Sequence, residues 1–169
     1  VIDRLAYFAD MHHVIIKDPE GVSLERLDYN RPTIDETNWH SAAENVGFAT
    51  PGVKNSQYLV SEIFEAQVTL ESKTFSPDND GFDDVLNINY EFSESGYVAN
   101  IEIMDTEGTL VYTLTQNELL STKGTLSWNG QTDTNSKARA GMYIIHFEIF
   151  NQQGESQHFK KVCILALKF

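Results

Sequence analysis

An all-β, antiparallel β-sandwich is the fold class this sequence predicts, and three observations carry it. Six apolar runs of strand length follow one another through the second half of the chain, several alternating apolar with polar residues. Turn-forming clusters separate them: SESG at 93–96, TEG at 106–108, NGQTDTNSKARAG at 129–141 and NQQG at 151–154. No segment of helical period lies between most of these runs, which argues against the alternating pattern of an α/β fold.

Taken in order, VIDRLAYF (1–8) and GVSLERLDY (21–29) read as strands, with Pro19 and Gly21 punctuating the stretch between them. Residues 30–57 read as loop, broken by Pro32, Pro51 and Gly52, with Trp39, Phe48 and Tyr58 as anchors to a surface. So much irregular chain fits the tail end of a domain better than the middle of a complete one. SEIFEAQVTLESK (61–73) then reads as a connector and the first strand of a second module, with the junction near 59–66. The strand runs that follow are LNINYEF (86–92), YVANIEIMD (97–105), TLVYTL (109–114), GTLSWN (124–129), GMYIIHFEIF (141–150) and HFKKVCILAL (158–167). One helix-tolerant patch, QNELLS (116–121), interrupts them and is too short to hold a helix alone. Pairing Ile101, Ile103 and Met104 with Tyr143, Ile145 and Phe147 gives a core, and Trp128, alternating with Leu126, is expected to face it.

The 169 residues carry 12 basic and 25 acidic side chains, a formal net charge of −13. Such a surface repels phosphate backbones and anionic lipid heads, so nucleic-acid and membrane partners are disfavoured and divalent cations favoured. The 41% hydrophobic content suffices for a real core, and no apolar run is long enough to span a bilayer. The chain opens on a strand-like run without an initiator Met, as expected of a segment cut from a longer protein. Its one cysteine, Cys163, excludes an internal disulfide and sits in an apolar run, where it reads as a small buried hydrophobe.

The densest chemistry is FSPDNDGFDD (75–84), with Asp78, Asp80 and Asp84 spaced around Gly81 so that a tight loop can turn several oxygens inward. Two readings stand side by side. Calcium takes six to eight oxygen ligands, and an acidic loop with a glycine at its bend can supply them. Asp and Asn also bond to their own backbone in Asx turns, and Pro77 and Gly81 are natural turn residues. The distal Glu of an EF-hand is missing, so a helix-loop-helix site is excluded. The five histidines, His12, His13, His40, His146 and His158, show no HxH or HExxH spacing and indicate no zinc site. Ser23 in GVSLE lacks the second glycine of a nucleophile elbow, and burial would raise the Cys163 pKa, the wrong direction for a nucleophile. Tyr90, Tyr97, Tyr112, Trp128 and Tyr143 are the rings that could stack on sugars if they faced outward. The sequence contains no phosphate-binding glycine loop and no catalytic motif.

The ordered series SPDNDGFDDVL, IEIMDTEGTLVYTL, LSWNG, ARAGMYIIHFE and FKKVCILA, over about the last 95 residues, resembles the FlgD-like immunoglobulin-like domains. These also occur as C-terminal modules of large secreted bacterial proteins. Asn79 stands where many relatives have Gly, Asn129 where they have Asp, and Ala138–Arg139 replaces a common proline; none of these disturbs the expected fold. VIDRLAYF, GVSLERLDYNRPT, NWHSAA and FATPGVKNSQY are similar to the closing portion of lamin-tail-type domains of secreted Bacteroidetes proteins.

The resemblances imply a partial lamin-tail-like β-sandwich over 1–59, a connector at 60–66 and an FlgD-like immunoglobulin-like sandwich over 67–169. The first sandwich would lack its earlier strands, and its apolar face would pack on upstream strands or another polypeptide. They also imply a non-catalytic module of a secreted or cell-surface protein, serving spacing, adhesion or export. FKKVCILALKF is similar to the closing strand of type IX secretion signals, which makes the export machinery an expected partner. The rival expectation is an accessory module that binds surface glycan or protein, which a row of outward aromatic rings would favour.

Overall fold

A computed structural model describes residues 4–59, 66–152 and 154–167 of the chain. Ten strands follow in chain order: β1 Leu24–Arg26, β2 Trp39–Ser41, β3 Gln67–Leu70, β4 Thr74–Phe75, β5 Leu86–Glu91, β6 Val98–Asp105, β7 Leu110–Leu119, β8 Lys123–Trp128, β9 Gly141–Phe150 and β10 Ser156–Leu165. The last eight form an all-β sandwich. A five-stranded sheet ordered β4-β10-β9-β6-β7 faces a three-stranded sheet ordered β3-β5-β8. All strand pairs are antiparallel except the two-residue contact of β4 with β10, which is parallel.

The core follows from the two-residue period of these strands. β5 alternates buried and half-buried along its length, so Leu86, Ile88 and Tyr90 point inward. β6 and β9 supply Ile101, Ile103, Tyr143, Ile145 and Phe147 as the pattern predicts, and all five are buried. Met104 departs from that expectation: it is half-buried, because it lies one residue out of phase with Ile103 and pairs with Ile144 on the outer face. Trp128 is fully buried between Phe75 and Tyr143, each ring 5.2 Å away, and its indole N–H donates to the Gln131 carbonyl at 2.7 Å. The large apolar body is thus packed while its one polar atom is satisfied.

QNELLS is not helical. β7 runs through it to Leu119, and its pairing with β6 shifts register three times, with Asn117 at φ 53° in the left-handed region. The bulges let Leu119 and Leu120 reach full burial, so tertiary pairing overrides a weak local preference. The first half is less regular than its sequence suggests. Within GVSLERLDY only Leu24–Arg26 pairs as strand, against Trp39–Ser41. Arg4–Phe8 is not strand, and residues 1–3 lie outside the described part, as does most of the connector at 60–65.

The N-terminal segment is organised by buried polar groups. The Glu25 carboxylate is 4% exposed and accepts from the Ser56 N–H and hydroxyl (both 2.6 Å), the Gln57 N–H (3.3 Å) and the Thr50 hydroxyl. That set ties β1 to the loop that leads back to the sandwich. The same loop then docks on the ends of β6–β8. The Gln57 amide donates to the Leu120 carbonyl (3.2 Å) and accepts from Gly96 N–H (3.3 Å), while Thr122 N–H donates to the Ser56 carbonyl (2.9 Å). Asn45 adds a bond to the Tyr90 hydroxyl at 2.7 Å. Among the described residues, the loop at 45–57 of the N-terminal segment is thus hydrogen-bonded to the sandwich of the same chain.

Trp128→Ala removes the ring that both sheets pack against and is expected to cost about 3–5 kcal/mol. The readout is the urea midpoint of the whole chain. A midpoint equivalent to wild type would show that the ring is not part of the cooperative core.

Candidate functional site

Three regions of this fold carry chemistry that the packing does not use up: the acidic loop, the histidine clusters and the outward side of the closing strand. The acidic loop joins β4 to β5. Its tight path needs left-handed backbone at Asn79 (φ 62°), Gly81 (φ 88°) and Asp83 (φ 50°), and Asn and Asp tolerate that region better than most residues. Asp84 accepts from Asn79 N–H at 2.6 Å and Gly81 N–H at 2.8 Å, Asp78 from Asp80 N–H at 3.1 Å, and Asp80 from Phe82 N–H at 2.9 Å. The chain therefore forms the Asx turns that its sequence allows. The same turns bring one oxygen each of Asp78, Asp80 and Asp84 within 4.8 Å of one another. Expected neighbours in the sequence are neighbours in space.

His12, His13 and His40 gather where the N-terminal segment meets the sandwich. His12 lies between the Tyr7 hydroxyl and the Ser41 hydroxyl, both at 3.0 Å. The His13 ring is 5.5 Å from that of His40, and His40 abuts Gly96, where a Cβ would meet its Nε2 at 2.6 Å. Glycine is required at 96 twice over, since its φ is +82°. Burial lowers the pKa of all three histidines, and for His13 burial together with the facing His40 brings it down to about 4.

The other two histidines looked isolated by spacing and are not. β9 and β10 form a hairpin whose register sets His158 opposite Glu148 and His146 opposite Lys160. The two rings stack, 5.5 Å between centroids and 4° from parallel. Motif spacing along one strand misses such a pair. The signal lies in the pairing itself, because the register Ser156↔Phe150 places the two histidines on adjacent rows of one face.

Other candidates resolve into packing. Tyr90, Tyr97, Trp128 and Tyr143 are buried and Tyr112 is half-buried, so these rings form no outward row. The outer face of the small sheet carries polar pairs instead: Thr125–Asn89 and Ser127–Asn87 at 2.6 Å, and Lys123–Glu91 at 3.0 Å. Cys163 is fully buried and its thiol is pushed up to about 12 by that burial. A groove of about 440 Å³ lies at the junction, beside Thr50, Tyr58, Phe92 and Thr122; its one lining carboxylate, Glu91, is paired with Lys123. No helix of the described residues is long and apolar enough to cross a membrane.

The closing strand β10 pairs with β9 over its whole length and with β4 only at Ile164 and Leu165. Cys163 and Leu165 point into the core, whereas Lys160, Val162 and Ile164 are exposed.

Comparison with known proteins adds three findings. The family model described as CHU_C Type IX secretion signal domain matches residues 68–165. Among solved structures, CopC from Methylosinus trichosporium OB3b aligns at 14% identity and TM-score 0.35, covering 51% of this chain and 78% of that one. PorZ, an essential bacterial surface component of the type-IX secretion system of Porphyromonas gingivalis, aligns at 18% identity and TM-score 0.36, covering 57% of this chain and 11% of that one. No curated protein matches the sequence.

The lowered His13 pKa sets a sign for acid behaviour. Below its ordinary 6.5 the unfolded chain takes up a proton that the folded chain resists until about 4. The stability His13 contributes is therefore full above pH 6.5 and is lost as pH falls toward 4. Melting temperature measured from pH 7 to pH 4.5 should fall less steeply for His13→Gln than for the parent chain, and an identical slope would remove His13 from the acid response.

Proposed function

The chain belongs to the CHU_C type IX secretion signal domain family, and from that premise we propose that its closing strand β10 is the element read by the export machinery. Membership marks a secreted or cell-surface protein whose sorting module meets that machinery. The observation that supports the finer reading is the coincidence of the matched segment, 68–165, with the sandwich. It begins on the second residue of β3 and ends on the last residue of β10.

On this reading the sandwich presents one strand. β9 holds β10 through ten residue pairs, and the inward Cys163 and Leu165 fix which side chains face out. Lys160, Val162 and Ile164 then form an outward basic and apolar row on a chain of net charge −13. A charged, alternating surface of this kind gives a receptor both a register and a sign. We read the domain as FlgD-like and immunoglobulin-like in detail, and residues 1–59 as the end of a lamin-tail-type unit clamped to it as a spacer. The motif series quoted above supports both assignments. We also read the module as non-catalytic, in line with the secretion-signal family to which it belongs. A glycan-binding role loses its expected feature with the burial of Tyr90, Tyr97, Trp128 and Tyr143.

A second reading concerns the acidic loop. We propose that Asp78, Asp80 and Asp84 hold a calcium ion that stiffens the turn from β4 into β5, and their convergence within 4.8 Å favours it. The role is structural on this reading, because the loop leads directly into β5, the central strand of the small sheet.

Two experiments test these readings. Lys160→Glu/Val162→Glu, both on the exposed side of β10, in a host with a type IX system should leave the protein folded but retained within the envelope; normal surface display would contradict recognition through β10. For the loop, melting temperature should rise with millimolar calcium and fall back with chelator, in line with ligand binding to the native state alone. Asp80→Asn, which keeps an oxygen for the Phe82 N–H, should abolish that rise. Superimposable melts in calcium and chelator would mean that the carboxylates serve only the backbone.

A further inference from the structure

We propose that the outer face of the five-stranded sheet carries a surface site for a borderline divalent transition ion, Cu²⁺, Ni²⁺ or Zn²⁺, built from His146, His158, Glu102 and Glu148. The register of three neighbouring strands places these residues in two adjacent rows. One row reads Glu102, His146, Lys160 across β6, β9 and β10; the next reads Asn100, Glu148, His158. Side chains in the same or diagonal positions of neighbouring rows are within reach of one another, and the stacked imidazoles at 5.5 Å show it directly.

Each ring is already coupled to a carboxylate. Nδ1 of His146 lies 3.8 Å from Glu102 Oε2, and Nε2 of His158 lies 3.8 Å from Glu148 Oε1. Glu148 is itself held, since the Asn100 amide donates to its other oxygen at 3.2 Å. At 3.8 Å the pairs are close contacts rather than hydrogen bonds; a carboxylate that closes onto the imidazole N–H orients the ring and raises its donor strength, as beside metal-bound histidine. One nitrogen of each ring thus faces a carboxylate, and the second nitrogen of each is the donor offered to an ion. The histidine side chains are 26% and 47% exposed, which leaves the rings room to turn out of their stack toward a shared ion, with Glu102 and Glu148 following as partners. Water completes the shell.

The donor set decides the ion. Two imidazoles select Cu²⁺, Ni²⁺ or Zn²⁺ over calcium, which separates this site in chemistry from the acidic loop. Lys160, opposite His146, is the cation of the patch; it is exposed, and its long stem carries the charge toward solvent. An ion here ties β9 to β10 on the face that β10 presents, with Glu102 of β6 behind His146.

The test is titration of the tag-free whole chain with Ni²⁺, Zn²⁺ and Cu²⁺ by calorimetry at pH 7.5, with amide NMR spectra recorded during the Ni²⁺ and Cu²⁺ additions. Binding in the micromolar range is expected, with paramagnetic broadening centred on β9 and β10. His146→Gln or His158→Gln should weaken it by about tenfold or more, and Glu102→Gln/Glu148→Gln by a similar factor at the low end. Asp78→Asn/Asp80→Asn/Asp84→Asn should leave it unchanged. All substituted side chains are at least partly exposed, and circular dichroism checks that the fold is kept. Binding no tighter than millimolar, broadening elsewhere, or an affinity unchanged in His146→Gln/His158→Gln would overturn the site.

Discussion

The pairing of β10 with β9 is the constraint on which the rest of the molecule depends. It runs through ten residue pairs, and it puts Cys163 and Leu165 into the core formed by Phe75, Trp128 and Tyr143. A one-residue slip would turn Val162 and Ile164 inward and expose Cys163 and Leu165, so the buried side of the strand fixes the displayed side. β10 also supplies the edge on which the short β4 closes, and the acidic loop starts from there. A strand that closes the core with one side and shows the other to solvent cannot change on one side without affecting the other.

The second dependency is polar. Among the described residues 4–59, two three-residue strands form and the buried apolar residues are Ala42 and Ala43, so packing alone holds little of this segment together. Glu25 substitutes for a core by gathering Thr50, Ser56 and Gln57 around one carboxylate. Gln57 then passes the connection to Gly96 and Leu120 of the sandwich. A buried carboxylate is tolerable only with its acceptors filled, and here the donors of one loop, Thr50 to Gln57, fill them. Gly96, pressed against His40, sets how closely the two parts approach.

The strands from 86 onward were legible because their apolar residues alternate and Gly, Asn and Asp mark their turns. Trp128 was legible as core from its phase with Leu126. The acidic loop's convergence was legible for the same reason: Asx turns are local, and local chemistry is written in consecutive residues. What the sequence hid was non-local. QNELLS became strand because β6 pairs with it through bulges, and no pattern within six residues reports a partner. Met104 was assigned inward by its apolar character, against its phase. The histidine stack needed the hairpin register, and the docking of Gln57 needed both modules folded. Polar cores such as that around Glu25 leave no periodic trace, so GVSLERLDY looked like a long strand where three residues pair.

The central claim, that this chain acts as an export address through its folded closing strand, is tested most directly by fusion. A periplasmic reporter carrying the whole chain, and one carrying it without residues 156–169, are expressed in a host with a type IX system and located by protease accessibility at the cell surface. The account predicts that only the first reporter reaches the surface. Equal display of both, or retention of both, would contradict it.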